Sequence, residues 1–250
     1  MSINRRNLLK TGATLGIAGA FGLGAWELNK TNTKAKILIT GGGAGGLALS
    51  NKLLHYFSGA EITIVDPRGY HWYQPGQTLL LAGAYKSKSK VIEDNATYLD
   101  SQVKWVEAGV EAYNPDNNQI TTTSGQVLNY DYLIVATGLE LRYDMIEGLD
   151  TNEIGQGNIA SIYLSPEAGI ASHQQALTSA QSKGGQALFT RPQGAIKCAG
   201  APMKATNLIE YFVRQAGQRD AFNFEYCTAE NQLFSVKAFD QRLQANYAEL

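Results

Sequence analysis

The sequence contains little cysteine, little histidine and almost no net charge. Among its 250 residues are two cysteines and three histidines, and the formal net charge is −1. Two cysteines are too few for a disulfide scaffold, and no CxxC motif or spaced Cys/His set indicates a metal site. A chain without excess positive charge has no field that attracts the phosphates of nucleic acid. We therefore expect no bound metal and no nucleic-acid partner.

A hydrophobic run long enough to cross a bilayer is also missing. The uncharged stretch from Thr11 to Trp26 is rich in Gly and Ala and falls short of the roughly 20 residues that a span needs. It follows Arg5 and Arg6, and together these features resemble a twin-arginine export signal. The resemblance implies a periplasmic protein, with residues 1–33 as signal or membrane anchor and linker. Cleavage of the signal and its retention both stay open.

The strongest local pattern is a glycine-rich turn between a strand and a helix. The apolar run 37–39 is followed by Gly41, Gly43 and Gly46 in the spacing G-x-G-x-x-G, and then by leucines at helical period. In a dinucleotide-binding turn, the first glycine allows a sharp bend, the second admits the pyrophosphate and the third lets helix and strand pack closely. Asp66 ends a second predicted strand, at the position where a carboxylate binds ribose hydroxyls. These residues predict an α/β domain of the Rossmann type that binds a dinucleotide.

Two later stretches favour FAD as that dinucleotide. Residues 103–122 alternate apolar and polar side chains and turn at Pro115, which is typical of a hairpin. An apolar strand then ends in Ala136-Thr137-Gly138 and resembles the closing element of flavoproteins with two dinucleotide-binding domains. The resemblance implies an FAD-binding Rossmann-like domain over residues 34–150. Its further FAD contacts would be Val110, Thr137 and Gly138.

Two motifs resemble the type II branch of the sulfide:quinone oxidoreductases. They are YHWYQPGQTLLLAGAY at 70–85 and KCAGAPMK at 197–204, and the second is the more specific. In that family sulfide is oxidised to a sulfane sulfur held on cysteine, and two electrons pass to FAD and then to a membrane quinone. The resemblance therefore implies FAD as cofactor, sulfide as substrate, a quinone partner and contact with a membrane surface. It makes Cys198 the catalytic cysteine, and it makes flavin contacts of His71, Tyr73, Gln74 and Pro75.

The cysteines can also be assessed from their neighbours. The thiolate is the reactive form of cysteine, and an ordinary thiol with a pKa of about 8.5 is mostly protonated at neutral pH. For Cys198, the cations Lys197 and Arg191 and a helix predicted to begin at Pro202 would favour the thiolate. The alternative is a cysteine that packs as a small hydrophobic residue. For Cys227, on a predicted strand, we expect that structural role, although pairing with Cys198 is open in an exported protein.

The second half of the chain begins like another Rossmann-like unit and then departs from it. A strand is predicted at 186–192, but the cysteine loop stands where a second G-x-G-x-x-G would bind NAD(P)H. We therefore expect residues 151–250 to form a partial second unit with unpaired sheet edges. The resemblance also implies that the family continues beyond Leu250. The chain would then be a fragment of a longer protein, or a truncated relative whose complementary partner chain supplies the remainder, and a homo-oligomer stays open.

Two other functions stay open from the sequence. The chain would also suit the flavin subunit of a sulfide dehydrogenase that reduces a cytochrome, because an exported protein meets soluble haem proteins. The third hypothesis is a non-catalytic remnant that binds flavin through residues 37–66. The first two functions differ in the electron acceptor, which is a quinone in one and a cytochrome in the other. A protein that binds flavin but reduces neither acceptor would support the third.

Overall fold

The computed structural model describes residues 30–249, which divide into two compact units. The first unit contains the described chain up to His71 together with Asp94–Leu139. The second contains Trp72–Glu93 together with the chain from Glu140 onward. The division thus falls at Leu139, whereas the sequence suggested residue 150, and the segment Trp72–Glu93 belongs with the second unit. The predicted export signal, apart from residues 30–33, lies outside the described residues.

A four-stranded parallel sheet forms the centre of the first unit. Its order is β11-β2-β4-β7, in which β2 is Lys36–Thr40, β4 is Glu61–Val65, β7 is Lys104–Val106 and β11 is Tyr132–Val135. β2 and β4 are nearly continuous apolar runs because both faces of the sheet are covered. Ile39 packs on one face with Leu47 of helix α1, Ala44–Tyr56, while Leu38 packs on the other face with Ile120. The predicted strand, turn, helix and second strand are confirmed.

An antiparallel sheet supplies the cover of the second face. It has the order β10-β9-β8, with β8 at Val110–Asn114, β9 at Gln119–Thr122 and β10 at Val127–Asn129. A 3-10 turn at Pro115–Asn117 joins β8 to β9, as predicted for the hairpin. Two further short strand pairs are β1 (Thr31–Asn32) with β3 (Phe57–Ser58), and β5 (Tyr70–Trp72) with β6 (Ile92–Asp94).

The second unit is built around one β-α-β element. β12 (Gly185–Arg191) and β13 (Phe222–Thr228) are parallel and paired along their whole length, and helix α4 (Ala201–Gln215) connects them. The other helices of this unit are α2 (Gln74–Leu81), α3 (Pro166–Ala180) and α5 (Lys237–Glu249). The predicted strand and helix on either side of the cysteine loop are therefore confirmed.

Helix α4 is anchored by a buried carboxylate. Glu210 is 7% exposed, and its carboxylate forms ion pairs with Arg214 at 2.5 Å and Arg219 at 3.2 Å. A buried charge persists only when it is paired in this way. On the apolar side of the helix, Val213 packs against Phe222 at the start of β13. These contacts hold α4 in place, and the cysteine loop leads into the N-terminal end of this helix.

The structure bears on three features considered in the sequence analysis, which are membrane-spanning helices, metal sites and a disulfide bond. Among residues 30–249, no helix is long and apolar enough to cross a membrane. No group of three or more His, Cys, Asp or Glu side chains in that part of the chain could hold a metal ion. Cys198 and Cys227 are both free thiols, so the disulfide between them that the sequence left open is not formed.

The first turn of α1 contains two glycines with opposite surroundings, which gives a test of the fold. A Cβ atom at Gly46 would lie 1.9 Å from the carbonyl oxygen of Gly41, whereas one at Gly45 would meet nothing within 4 Å. We expect Gly46→Ala to lower the free energy of unfolding by about 3 kcal/mol or more, because backbone is pushed against backbone. Gly45→Ala should raise it by about 0.5 kcal/mol through helix propensity. Urea unfolding measures both values, and equal effects of the two variants would contradict the packing of this turn.

Candidate functional site

The glycine turn in the first unit leaves an open space at the N-terminus of α1. Gly41 has φ +105°, and a Cβ there would lie 2.3 Å from the carbonyl oxygen of Ala136, so only glycine fits. Gly43 is the N-cap of α1, and as a glycine it has no side chain that could cap the helix amides. A Cβ at Gly43 would meet nothing within 4 Å. The amides of the first helical turn therefore face space that an anion can enter.

Asp66 follows β4 and binds the glycine turn through its carboxylate. The Gly42 N–H donates to Asp66 Oδ2 at 2.7 Å, and the Arg68 N–H donates to Asp66 Oδ1 at 2.8 Å. Each carboxylate oxygen keeps a second lone pair, so Asp66 can hold the turn and still accept hydroxyl groups of a ribose. Asp66 is 6% exposed, which fixes its carboxylate in place.

Gly42 must also be glycine, although it is not one of the three glycines of the G-x-G-x-x-G motif. A Cβ at Gly42 would lie 2.1 Å from Cη2 of Trp105 on β7. The indole thus packs directly against the backbone of the turn. The sequence carries no local signal for this contact, because Trp105 is brought there by the pairing of β7 with β4.

The closing strand β11 brings Thr137 to the same turn. The Ala136 N–H donates to the Thr40 carbonyl at 2.7 Å, and the Thr137 nitrogen lies 2.8 Å from where a Cβ of Gly41 would be. Gly138 has φ +78°, in the left-handed region that favours glycine. The structure therefore groups Thr137 with Gly41 at the carboxyl end of β2. Val110 begins β8 and packs against the core cluster that contains Leu38 and Val65.

The cysteine loop of the second unit holds its cysteine in an unusual backbone conformation. Cys198 is exposed and has φ +54°. Such a left-handed conformation costs a residue other than glycine on the order of 1 kcal/mol. The Ala201 N–H donates to the Cys198 carbonyl at 2.8 Å, which stabilises the turn into α4. The side chain therefore lies at the surface, next to the N-terminal end of a helix.

Two side chains of the same unit hold Lys197, the residue before Cys198. The Lys197 ammonium lies 4.4 Å from the centroid of the Tyr163 ring and donates a hydrogen bond to Gln74 Oε1. Burial lowers the pKa of Lys197, although the charge of Cys198 opposes this shift. Burial, and then the neighbouring Cys198, raise the pKa of Tyr163.

Gln74 and Pro75, which the resemblance made flavin contacts, belong to the second unit with Cys198. Gln74 begins α2, and its amide oxygen is occupied by Lys197. Pro75 lies in the first turn of α2, and its carbonyl accepts a hydrogen bond from Thr78 Oγ1 at 3.1 Å. The structure thus groups Gln74 with Lys197, and the flavin contact of both residues stays a prediction.

Arg191 was expected to favour the Cys198 thiolate, but it forms an ion pair elsewhere. Its guanidinium lies 3.1 Å from Glu230 Oε1, and the Gly194 N–H donates to the same carboxylate oxygen at 2.8 Å. The Gly194 amide, and then Arg191, lower the pKa of Glu230. Glu230 follows β13 as Asp66 follows β4, so in both units an acid after the second strand accepts an amide of the loop after the first.

Sequence reasoning did not identify Tyr163 or Glu230. For Glu230 a signal was present, since an acidic residue shortly after the second strand of a βαβ unit repeats the position of Asp66. For Tyr163 no signal was present, because nothing in its neighbourhood along the chain relates it to Lys197.

The histidines have structural contacts in the described chain. His71 Nδ1 lies 2.8 Å from Asn95 Oδ1, and its ring packs edge-on against Tyr98 at 5.7 Å. His173 is 8% exposed, and its Nδ1 lies 2.7 Å from the Leu81 carbonyl oxygen. His173 therefore has a packed, hydrogen-bonded position in the second unit.

The chain is similar in sequence to a known family and to known enzymes. Residues 35–165 match the family model described as pyridine nucleotide-disulphide oxidoreductase. The chain is 34% identical over 232 residues to the mitochondrial sulfide:quinone oxidoreductase of Dictyostelium discoideum, over 91% of this chain and 50% of that protein. It is 36% identical over 210 residues to the mouse mitochondrial enzyme of the same name, over 84% of this chain and 45% of that protein. The chain spans about half the length of the curated relatives it matches.

Solved structures share the fold. The sulfide:quinone oxidoreductase of Aquifex aeolicus superimposes with a TM-score of 0.69 at 21% identity, over 86% of this chain and 49% of that chain. NDH2 of Plasmodium falciparum, solved in complex with NADH, gives a TM-score of 0.60 at 15% identity, over 87% of this chain and 46% of that chain. The predicted α/β flavoprotein fold is confirmed. As a homologue of sulfide:quinone oxidoreductases, the chain belongs to the pyridine nucleotide-disulphide oxidoreductase family of FAD-binding flavoproteins.

Proposed function

We propose that the chain is an FAD-dependent oxidoreductase that oxidises sulfide to sulfane sulfur and passes the electrons to a membrane quinone. The observation that carries this proposal is the exposed Cys198 thiol, in a loop next to Lys197 and just before α4 begins. The relatives in Dictyostelium and mouse bear the name of this activity. A sulfur exposed in this way suits chemistry on another sulfur, because the nucleophile is accessible.

The first unit fits FAD at the glycine turn. Its open N-cap at Gly43 leaves room for a diphosphate beside the free amides of α1. Asp66 holds the turn through Gly42 and keeps lone pairs for a ribose. Thr137 and Gly138 present their backbone at the same end of the sheet. When bound, FAD supplies the acceptor for two electrons.

The residues of the second unit bind and orient sulfur. Oxidation of sulfide to the sulfane level removes two electrons from it, and the Cys198 sulfur is the atom that holds the product. Lys197 supplies positive charge beside an anionic sulfur, because its ammonium is fixed between Gln74 and the Tyr163 ring. The exposure of Cys198 lets small anions such as hydrosulfide reach it.

Sulfide, and not NAD(P)H, is the proposed source of electrons. The loop after β12 carries Cys198 where a second glycine fingerprint would hold a pyrophosphate. Its Gly194 amide, which could bind a phosphate, is already bonded to Glu230. That carboxylate would also repel a phosphate at this point.

We also propose export through the twin-arginine pathway and contact with a membrane surface. Support for export comes from Arg5 and Arg6 before the small apolar residues 11–26. Membrane contact follows from the proposed acceptor, because a quinone is dissolved in the bilayer. A periplasmic location would place Cys198 where sulfide arrives from outside the cell.

The FAD site is tested by the second glycine of the fingerprint. We expect Gly43→Ala to fold normally, because the added methyl group meets nothing within 4 Å. The same methyl group would occupy the space of the diphosphate and cost about 2 kcal/mol of binding, or about a thirtyfold weaker affinity. FAD titration followed by flavin fluorescence measures this change. Gly69→Ala, also in open space in the first unit, is the matched control. Equal FAD affinity of both variants would place the diphosphate elsewhere.

The sulfide chemistry is tested with Cys198→Ser in the FAD-loaded protein. Anaerobic sulfide should bleach the flavin of the unmodified protein and of Cys227→Ser, and should leave Cys198→Ser coloured, because only Cys198 is exposed in the loop before α4, next to Lys197. Reoxidation by decylubiquinone, and not by cytochrome c, is expected of a quinone-reducing enzyme. Bleaching by NADH without bleaching by sulfide would reverse the assignment of the electron donor. Bleaching of Cys198→Ser at the normal rate would remove Cys198 from the reaction.

Export is tested by changing the arginine pair. Arg5→Lys together with Arg6→Lys should retain the protein in the cytoplasm of a bacterium with a twin-arginine pathway, because the signal receptor reads the pair of guanidinium groups. Lys10→Arg keeps the pair and should leave export unchanged. Immunoblots of periplasmic and cytoplasmic fractions measure the distribution. Export of the double variant at the normal level would contradict the proposal.

A further inference from the structure

We propose that Trp105 is a positioning residue of the FAD site, whose indole holds Gly42 against Asp66 and so orients the carboxylate for the adenosine ribose of FAD. This inference rests on the FAD site of the proposed function. It goes beyond that site as described, because Trp105 belongs neither to the glycine motif nor to the residues predicted to contact FAD.

Trp105 and Asp66 are fixed by one pair of strands. Trp105 of β7 pairs with Ile64 of β4, and Asp66 follows Ile64 by two residues. Side chains two positions apart on a strand share a face of the sheet, so the indole and the carboxylate lie on the same face. The Asp66 N–H donates to the Val106 carbonyl at 3.1 Å, which continues the pairing to this point. The two side chains therefore keep a fixed position relative to each other.

The indole packs on Gly42 from this face. Trp105 packs against the core cluster that contains Ile39 and Ile64, and the outer edge of its ring reaches the glycine turn. A Cβ at Gly42 would lie 2.1 Å from Cη2 and 2.8 Å from Cζ3 of Trp105, and 3.0 Å from Cβ of Asp66. The turn, the indole and the aspartate thus meet at one point. The Gly42 backbone cannot move toward β7 while the indole is in place.

Gly42 transmits this constraint to the carboxylate. The Gly42 N–H donates to Asp66 Oδ2 at 2.7 Å, and the Arg68 N–H donates to Asp66 Oδ1 at 2.8 Å. One bond to each oxygen fixes the plane of the carboxylate and leaves a second lone pair on each oxygen for a ribose hydroxyl. Without the edge of the indole, Gly42 can recede into the space that is left. Its bond to Oδ2 then lengthens, and the Arg68 amide alone orients the carboxylate.

A tryptophan that only filled the core would affect ligands differently. Its truncation would weaken every ligand of the glycine turn by the same factor. Truncation of a positioning residue weakens the one contact that it positions, which here is the contact of Asp66 with the ribose hydroxyls. FAD and an FAD analogue without the 2′ and 3′ hydroxyls of the adenosine ribose separate these roles, because both carry the same diphosphate and the same flavin.

The test is Trp105→Phe, which removes Cη2 and Cζ3 from Gly42 and keeps an aromatic ring on the core. The flavin-free full chain is titrated with each ligand, and flavin fluorescence gives the affinities. The unmodified protein should bind FAD roughly tenfold more tightly than the analogue, the usual value of a hydrogen bond to a charged group. In Trp105→Phe most of this preference should disappear, because FAD binds more weakly while the affinity for the analogue is nearly unchanged.

Val106→Ala is the matched control. Val106 is the next residue of β7 and is also half-buried, but it packs on the other face of the sheet, against the cluster that contains Leu38 and Ile120. The variant removes a core contact from the same strand and none from Gly42. It should therefore keep the preference for FAD over the analogue.

The turn itself can be followed without any ligand. NMR of the flavin-free protein should show faster exchange of the Gly42 amide hydrogen in Trp105→Phe than in Val106→Ala, because the bond to Asp66 Oδ2 is weakened. The Arg68 amide, which is bonded to the other carboxylate oxygen, is the internal reference and should exchange at the same rate in both variants.

A compensating pair of changes keeps the test decisive if Trp105→Phe folds poorly. Gly42→Ala alone should lose the preference for FAD, because its methyl group collides with the indole. Gly42 is outside the left-handed region, so alanine can adopt its backbone conformation. Gly42→Ala combined with Trp105→Phe should regain the preference, because the methyl group takes the space of the removed ring atoms.

The inference is overturned by any of four results. They are equal weakening of both ligands in Trp105→Phe, an unchanged preference in that variant, unchanged exchange of the Gly42 amide, and a double variant no better than Gly42→Ala. Equal binding of both ligands by the unmodified protein would also overturn it, since Asp66 would then receive no ribose. None of these measurements involves sulfide. Bleaching of Cys198→Ser by sulfide would instead contradict the proposed reaction and would leave the role of Trp105 as these affinities decide it.

Discussion

The bond from a carboxylate to a loop amide is the interaction on which both units of the chain depend. Asp66 accepts the Gly42 N–H in the first unit, and Glu230 accepts the Gly194 N–H in the second. In each βαβ element the loop after the first strand must reverse toward a helix at the carboxyl edge of the sheet. An acid at the end of the next parallel strand reaches that loop from the same edge, because parallel strands end together. The pairing of the parallel strands thereby fixes the position of the loop, and with it the position of the groups that the loop carries.

The two loops use this support for different chemistry. In the first, Gly41 and Gly46 are required by contacts of 2.3 Å and 1.9 Å that a Cβ would make, and Gly43 opens onto space. Such a turn exposes amides and suits an anion. In the second loop, the Arg191 guanidinium forms an ion pair with the Glu230 carboxylate. The loop then continues to Cys198 before α4 begins. One topology thus gives an open glycine turn in the first unit and an exposed cysteine in the second.

The sequence predicted the elements whose cause is local. The switch from the apolar run at 37–39 to glycine and then to helical spacing defined β2, the turn and α1, and Pro115 defined the hairpin. The parts that it did not predict are set by distant contacts. Trp105 packs against Gly42 only because β7 pairs with β4, and Tyr163 meets Lys197 only in the folded second unit. The grouping of Trp72–Glu93 with the second unit also has no local cause, because it arises from packing and not from composition.

The backbone of Cys198 shows why a side chain is present where glycine would be easier. Glycine adopts φ +54° without strain, and the loop already contains Gly194 and Gly200. Cysteine at this position costs on the order of 1 kcal/mol. The Ala201 N–H bond to the Cys198 carbonyl offsets part of that cost. The same turn places Cys198 at the surface just before α4 begins at Ala201. The backbone conformation that is unfavourable for a side chain is therefore the one that leaves the sulfur exposed beside the N-terminal end of a helix.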